Sequence, residues 1–97
     1  MRLHSDIKDF LTEQIRRLLP RADIYLFGSR VHDDAKGGDI DILIIGSRKL
    51  SLLEKLQLRM QFDEQFGEQK IDILSYSRGS DDPFLRLILE DAVKLNA

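Results

Sequence analysis

Residues 39–45 have the sequence DIDILII, in which two acids alternate with isoleucines before the run becomes wholly apolar. Side chains of a β-strand point alternately to the two faces of a sheet. Asp39 and Asp41 should therefore share one face and leave the isoleucines on the other. The Cα atoms of the two acids would lie about 6.5–7 Å apart. The pattern predicts a strand with one apolar core face and two carboxylates that can converge on a cation.

A third acid, Asp72, lies inside the later apolar run 71–74. An acid is rarely placed in a buried strand unless something pairs with it. If the strands are neighbours, Asp72 joins Asp39 and Asp41, and three carboxylates without a cation would raise one another's pKa values. Mg²⁺ removes that cost, and it prefers a few carboxylates together with the phosphate oxygens of a substrate. Two such ions about 3.5–4 Å apart can stabilise the attacking and leaving oxygens of a phosphoryl transfer.

A Gly-Ser turn precedes the acids. Gly28 and Ser29 follow the short β-prone run 24–27. A glycine lets the backbone pass close to a phosphate, and the serine hydroxyl and the backbone amides can donate hydrogen bonds to it. The turn and the acids together indicate a site for divalent metal and phosphate. The plainer alternative is a strand edge with solvated acids and a serine that only shapes the turn.

The rest of the sequence predicts the order helix, strand, turn or short helix, strand, helix, strand, helix. Helices are recognised by apolar residues at helical spacing and by their capping residues. The expected boundaries are Ser5 (N-cap) and Pro20 for the first helix, Ser51 with Glu54 (a capping box) and Gly67 for the second, and Asp82 with Pro83 for the third.

These elements predict a small α/β (α+β) fold in a single domain that spans residues 1–97. Three strands, at 24–27, 39–45 and 70–76, should form one mixed sheet with helices covering one face. The second helix can act as a crossover connection, which would make the second and third strands parallel. The last helix is expected to extend through Val93.

Composition narrows the classes of protein. The chain has no cysteine, which excludes disulfides, zinc–thiolate sites and thiol catalysis. Lys and Arg number 15 against 17 Asp and Glu, so no overall basic field favours nucleic acid as a partner. The sequence contains no apolar stretch of the length that a membrane span requires. A cytoplasmic protein without membrane association is therefore expected.

The chain resembles the DNA polymerase beta-like nucleotidyltransferase superfamily. The resemblance rests on the series Phe27-Gly28-Ser29-Arg30, eight intervening residues, Asp39-Ile40-Asp41-Ile42-Leu43, and then Ile71-Asp72-Ile73. More narrowly, the chain is similar to the minimal nucleotidyltransferases (MNT proteins), which are often encoded beside a HEPN-domain protein. The resemblance covers essentially the whole chain and implies the polymerase beta-like nucleotidyltransferase fold.

The resemblance also implies roles for individual residues. Gly28 and Ser29 would bind the triphosphate of a nucleotide, and Arg30 would contact phosphate. His32, Asp33 and Gly38 depart from the residues common in relatives, as does a slightly shorter loop, and these differences bear on loop contacts. The flanking Lys36 is a further candidate for neutralising triphosphate charge, although a solvated lysine is the commoner case.

The implied metal ligands are the three acids. Asp39 and Asp41 would hold two Mg²⁺ ions, and Asp72 would complete the cluster and help to activate the attacking hydroxyl. All three are thus candidate catalytic residues and candidate metal ligands.

The implied activity is transfer of a nucleoside monophosphate, AMP from ATP, to a hydroxyl of a partner protein. In the resembled family this partner is a HEPN toxin encoded nearby, so the chain would be the antitoxin of a toxin–antitoxin pair. Two alternatives stay open, namely an antitoxin that masks its partner without catalysis and a subunit that senses nucleotide.

The second helix holds more apolar residues than one buried stripe requires. Either the helix is deeply packed, or Leu58 and Phe62 face a partner. Ile88 of the last helix raises the same question. This surplus of apolar surface would also allow the chain to form a homodimer.

Overall fold

A four-stranded mixed sheet forms the centre of the computed structural model, which describes residues 3–31, 39–67 and 69–96. The sheet order is β3-β2-β1-β4, in which β1 is antiparallel to β2 and β4 while β2 is parallel to β3. The predicted fold class and the predicted parallel pair are confirmed. The elements are α1 (Ser5–Leu18), β1 (Asp23–Phe27), a 3₁₀ turn (Gly28–Val31), β2 (Ile40–Gly46), α2 (Leu52–Phe66), β3 (Ile71–Ser77), α3 (Pro83–Leu89) and β4 (Val93–Lys94).

The start of α1 differs from the prediction. His4 rather than Ser5 is the N-cap, because the His4 Nδ1 atom accepts a hydrogen bond from the backbone N–H of Asp6 at 3.2 Å. Ser5 is the first helical residue. The imidazole of His4 takes the position that a hydroxyl or carboxylate usually occupies at a helix N-cap. The preference of N-caps for serine therefore predicted Ser5, which is the wrong residue.

The start of α2 is fixed by several polar contacts. The predicted capping box is confirmed, since Ser51 Oγ accepts from the Glu54 N–H at 3.1 Å and Glu54 Oε1 accepts from the Ser51 N–H at 2.9 Å. Arg48 binds the Glu54 carboxylate with both guanidinium nitrogens, at 2.7 and 2.8 Å. The backbone N–H of Leu50 donates to the buried Ser75 Oγ of β3 at 2.8 Å. This hydrogen bond attaches the chain just before α2 to the edge strand.

The main core lies on the face of the sheet that α1 and α2 cover. Ile40 and Ile42 of β2 are fully buried there. Leu58 and Phe62 of α2 are also buried, so the alternative that they face a partner is wrong. Phe62 packs against Phe10 and Phe66 with ring centroids 6.1 and 5.0 Å apart. The helices therefore dock on the even-numbered side chains of β2.

The opposite face of the sheet is covered by α3. Leu85 and Ile88 of α3 are buried against Leu43 and its partly buried neighbours. The prediction that helices cover only one face is therefore wrong. The odd-numbered side chains near the end of β2 are apolar as well, and they need a cover of their own. Because Ile88 is buried, the alternative that it faces a partner is also wrong.

The last helix is shorter than predicted. It ends at Leu89, and Val93 lies in β4, which pairs with β1. Asn96 closes this edge, since its side-chain NH₂ donates to the Ala22 carbonyl at 2.8 Å and its amide oxygen accepts from the Ile24 N–H at 3.0 Å. Across the described residues, no helix is long and apolar enough to cross a membrane.

An ion-pair cluster joins three strands at the other end of the sheet from the acids. Arg78, just after β3, donates to Asp23 Oδ2 at 2.7 Å and to the Arg21 carbonyl at 2.8 Å. Lys94 Nζ lies 3.2 Å from Asp23 Oδ1. The hydrogen bond from Arg78 and the charge of Lys94 lower the pKa of the Asp23 carboxyl, although partial burial opposes them.

This cluster yields a prediction of pH-dependent stability. Asp23→Asn should lower the free energy of unfolding by about 0.5–1 kcal/mol at pH 7, since Arg78 and Lys94 are partly solvated. Because the folded pKa lies below the unfolded value of about 3.9, this contribution is present above that value and is lost as the pH falls through the folded pKa. Urea unfolding at neutral and acidic pH measures it, with Glu13→Gln in the exposed pair with Arg17 as the control. A difference that does not shrink as the pH falls below that unfolded value would contradict the ion-pair explanation.

Candidate active site

The parallel pairing of β2 with β3 brings two of the three predicted acids side by side. Asp41 is the register partner of Asp72, and neighbouring strands lie about 4.8 Å apart. Asp41 is half-buried, whereas Asp72 is exposed. Asp39 lies immediately before β2 and is also exposed. The three carboxylates thus lie at one end of the sheet, on or next to the parallel strands β2 and β3.

Electrostatic repulsion acts within this group. Burial raises the pKa of the Asp41 carboxyl above its ordinary value, and the carboxylates of Asp72 and Asp39 raise it further. Both causes disfavour the charged form of Asp41 in the folded protein. A cation held beside Asp41 would therefore relieve a cost that the fold imposes.

Gly28 lies directly against Asp41. Phe27, the last residue of β1, is the register partner of Asp41, and the chain turns at Gly28 with a φ of 78°. A Cβ atom at position 28 would lie 3.2 Å from Asp41 Cγ and would collide with Asp41 Oδ2. Glycine is required here for two reasons, its positive φ and the close approach of the acid.

The remaining predicted loop residues are described only in part. Ser29 and Arg30 lie in the 3₁₀ turn that begins at Gly28. The structure describes the backbone of these two residues but not their side chains. His32, Asp33, Lys36 and Gly38 lie outside the described residues. The structure therefore brings Asp41 and Asp72 side by side, with Gly28 against Asp41, and places Asp39 at the same end of the sheet.

The donor set suits a hard divalent cation. All three candidate ligands are carboxylates, which Mg²⁺ prefers, and their mutual repulsion favours a bound cation. Within residues 3–31, 39–67 and 69–96, no three His, Cys, Asp or Glu side chains form a compact group around a single position. Mg²⁺ commonly uses one or two carboxylates together with substrate phosphates, so a partial carboxylate set is compatible with it.

A pocket of about 420 Å³ opens beside the acids. It lies on the α3 face of the sheet and extends over the edge strand β3 to the outer side of α2. Leu52 and Leu56, which belong to the surplus of apolar residues in α2, line this pocket, whereas Leu58 and Phe62 are buried in the core. The lining of the pocket includes Phe27 and Asp41 beside the Gly28 turn, Asp72 of β3, Leu52, Lys55, Leu56 and Arg59 of α2, and Phe84 of α3.

Comparison with known proteins agrees with this geometry. The model of the family described as polymerase beta, nucleotidyltransferase, matches residues 6–96. The chain belongs to this family. No curated protein sequence matches it. The family predicted from the Gly-Ser turn and the three acids is confirmed.

Solved structures share the fold. A structure of a tri-AMPylated HEPN toxin from Shewanella oneidensis in complex with an MNT antitoxin contains a match with a TM-score of 0.68 and 18% identity, covering 98% of this chain and 73% of that one. A toxin–antitoxin structure with AMP-PNP matches with a TM-score of 0.69 and 18% identity, covering 93% and 73%. A structure of the toxin–antitoxin MntA–HepT matches with a TM-score of 0.67 and 17% identity, covering 97% and 73%. At these identities the likeness establishes the fold.

The contact between Gly28 and Asp41 can be tested by substitution. Gly28→Ala should destabilise the protein by more than the roughly 1–2 kcal/mol of a positive-φ substitution, because the new methyl group displaces Asp41. Gly79→Ala is the matched control, since Gly79 has a φ of 89° and its Cβ would meet nothing within 4 Å. Chemical unfolding of both variants measures the difference. Equal destabilisation would mean that the close approach of Asp41 contributes nothing.

Repulsion among the acids predicts a stabilising substitution. In metal-free buffer at pH 7, Asp41→Asn should raise the melting temperature by several degrees, since it removes a partly buried charge that Asp72 and Asp39 disfavour. The gain should shrink as the pH falls through the raised pKa of Asp41, because the wild-type carboxyl is then also neutral. Thermal scans with EDTA and with Mg²⁺ test this, with Asp9→Asn on the exposed side of α1 as the control. The prediction fails if Asp41→Asn melts at or below the wild-type temperature without metal.

Proposed function

We propose that this nucleotidyltransferase transfers AMP from ATP to a hydroxyl group of a HEPN-domain partner protein encoded nearby, and that it acts as the antitoxin of that pair. The proposal rests on one observation, the pairing of Asp41 with Asp72 directly beside the Gly28 turn. Carboxylates next to a backbone turn suit a phosphate-bearing substrate neutralised by cations. The matched family supports nucleotidyl transfer as the class of reaction.

In the proposed reaction the acceptor oxygen forms a bond to the α-phosphorus of ATP. The bond between the α-phosphorus and the bridging oxygen breaks, pyrophosphate leaves, and the hydroxyl proton passes to a base. The turn at Gly28, with Ser29 and Arg30, binds the triphosphate. Asp72, on the other side of β2 from that turn, orients the attacking hydroxyl.

Asp39, Asp41 and Asp72 would hold divalent cations, two Mg²⁺ ions in the proposal. Bound Mg²⁺ supplies charge neutralisation for the phosphates and lowers the pKa of a coordinated hydroxyl. The positions of the three carboxylates would determine where the positive charge of the cations lies.

The choice of ATP and of a HEPN partner comes from structures with the same fold. One of them contains AMP-PNP, and another contains an AMPylated HEPN toxin together with an MNT antitoxin. These are properties of those complexes, and they support the same donor and the same class of partner here.

A second candidate is a binding antitoxin that masks its partner without transferring a nucleotide. Exposed apolar side chains favour it, since Leu52, Leu53 and Met60 of α2 and Leu87 of α3 are all more than half exposed. Such residues commonly mark protein contacts. Contact with a partner is common to both candidates, whereas the acids are needed only by the first.

Label transfer distinguishes the two candidates. The chain is co-expressed with the HEPN-domain protein encoded beside it, and the purified complex is given MgATP labelled at the α-phosphate. Label should appear on the partner and fall to background with Asp39→Asn or Asp41→Asn, while Asp9→Asn retains transfer. Full transfer by both acid variants would refute the proposed reaction. A tight, inhibited and unlabelled complex would favour masking.

A further inference from the structure

The pocket beside the acids has a charge and a composition that the transfer reaction does not by itself explain. Its outer wall is apolar, with Leu52 72% exposed, Leu56 45% exposed and Phe84 of α3 51% exposed. Lys55 and Arg59, one helical turn apart on α2, also line it. Neither basic side chain forms an ion pair with a carboxylate in the described part of the chain.

Phe27 and Asp41 place one end of this pocket at the phosphate turn, and the rest of it extends from there over β3 and α2. Gly28 follows β1, Asp72 lies on β3, and β2 lies between them. Ile73 and Leu74 of β3 and the outer side of α2 provide much of the lining. If the triphosphate binds at the Gly28 turn, the pocket adjoins the side from which an acceptor reaches the α-phosphorus.

The apolar surface is larger than a nucleobase requires. Exposed leucine and methionine side chains continue along α2 from Leu52 to Met60, a distance of about 12 Å along the helix axis. Several exposed large apolar side chains beside one pocket are typical of a protein-binding surface. A nucleic-acid acceptor would instead be favoured by a surface rich in basic residues around the pocket.

We propose that this pocket, which we call the Leu56–Phe84 pocket, docks the acceptor protein through an apolar segment flanked by carboxylate side chains. The apolar residues of the segment would cover Leu52, Leu56 and Phe84. Its carboxylates would pair with Lys55 and Arg59, which hold the segment beside Asp72. The inference rests on the proposed function, because it assigns the acceptor of that reaction to a particular surface.

The position of α2 is fixed before any partner binds. The hydrogen bond from Leu50 to Ser75 attaches its start to β3, and the Ser51–Glu54 capping box fixes its first turn. A preformed wall loses less conformational freedom on binding than a flexible one. The Leu56–Phe84 pocket is therefore suited to set the position of a docked segment relative to Asp72.

Charged substitutions in the pocket test the proposal. Leu56→Glu and Phe84→Glu should each weaken binding of the neighbouring HEPN-domain protein by about tenfold or more, since they place a charge in a buried apolar contact. Gln61→Glu adds the same charge to α2 beside Phe10 and Gln14 of α1, and Leu89→Glu makes the same change outside the pocket on α3. Both controls should bind within about twofold of wild type. Titration calorimetry measures the affinity, and circular dichroism checks the fold of each variant.

Lys55→Glu and Arg59→Glu test the charge of the segment without changing the apolar wall. They should weaken binding and reduce its dependence on salt, because they remove attraction to carboxylates. These surface substitutions also keep the proposal testable if the apolar variants fail to fold. Unchanged or tighter binding with either variant would refute an acidic segment.

Two further readouts separate this inference from the proposed function. Binding of a fluorescent ATP analogue to the isolated chain should be unaffected by Leu56→Glu, and its loss would assign the pocket to the nucleotide and overturn the inference. If labelled AMP is transferred equally by the pocket variants and the controls, docking is refuted while the reaction stands. If the pocket variants lose binding and the wild-type complex transfers no label, the reaction is refuted while docking stands. Label on RNA instead of protein would overturn the proposed occupant.

Discussion

The parallel pairing of β2 with β3 is the constraint on which the rest of this structure depends. It places Asp41 beside Asp72, and a parallel pair requires a crossover, which α2 supplies. The same crossover places the outer side of α2 next to the exposed edge of β3. One topological choice thus brings together the acids and the apolar wall of the Leu56–Phe84 pocket.

Close approach of backbone to carboxylate is the second determinant of the site. Gly28 follows Phe27, the β1 residue opposite Asp41, and the absence of a side chain lets the turn lie against the acid. Burial and neighbouring charge then raise the pKa of Asp41. The ionised form of Asp41 is therefore destabilised in the folded protein. Such perturbed carboxyl groups are common where proteins bind charged ligands.

Local patterns in the sequence predicted the features that local physics controls. Alternation of acids with isoleucines, the Ser51–Glu54 capping box and the Asp82 cap each depend on residues close in sequence, and each prediction of structure was correct. The sequence left the buried side of α2 undecided, because apolar residues surround much of this helix and only the tertiary crossover selects Leu58 and Phe62. The two-residue strand β4 and the docking of α3 on the second face likewise depend on long-range contacts, so no local pattern indicated them.

Alternation along β2 has a consequence for how such a domain can diverge. Ile40 and Ile42 are fully buried in the core, whereas Asp41 between them contributes charge repulsion instead of packing. A codon change at position 41 therefore leaves the core intact, while changes at its two neighbours leave a cavity or a strained core. In the proposed reaction Asp41 holds a cation, so descendants that keep the architecture but lose that reaction would be a single substitution away. The architecture can thus outlast the activity and remain available to selection for binding alone.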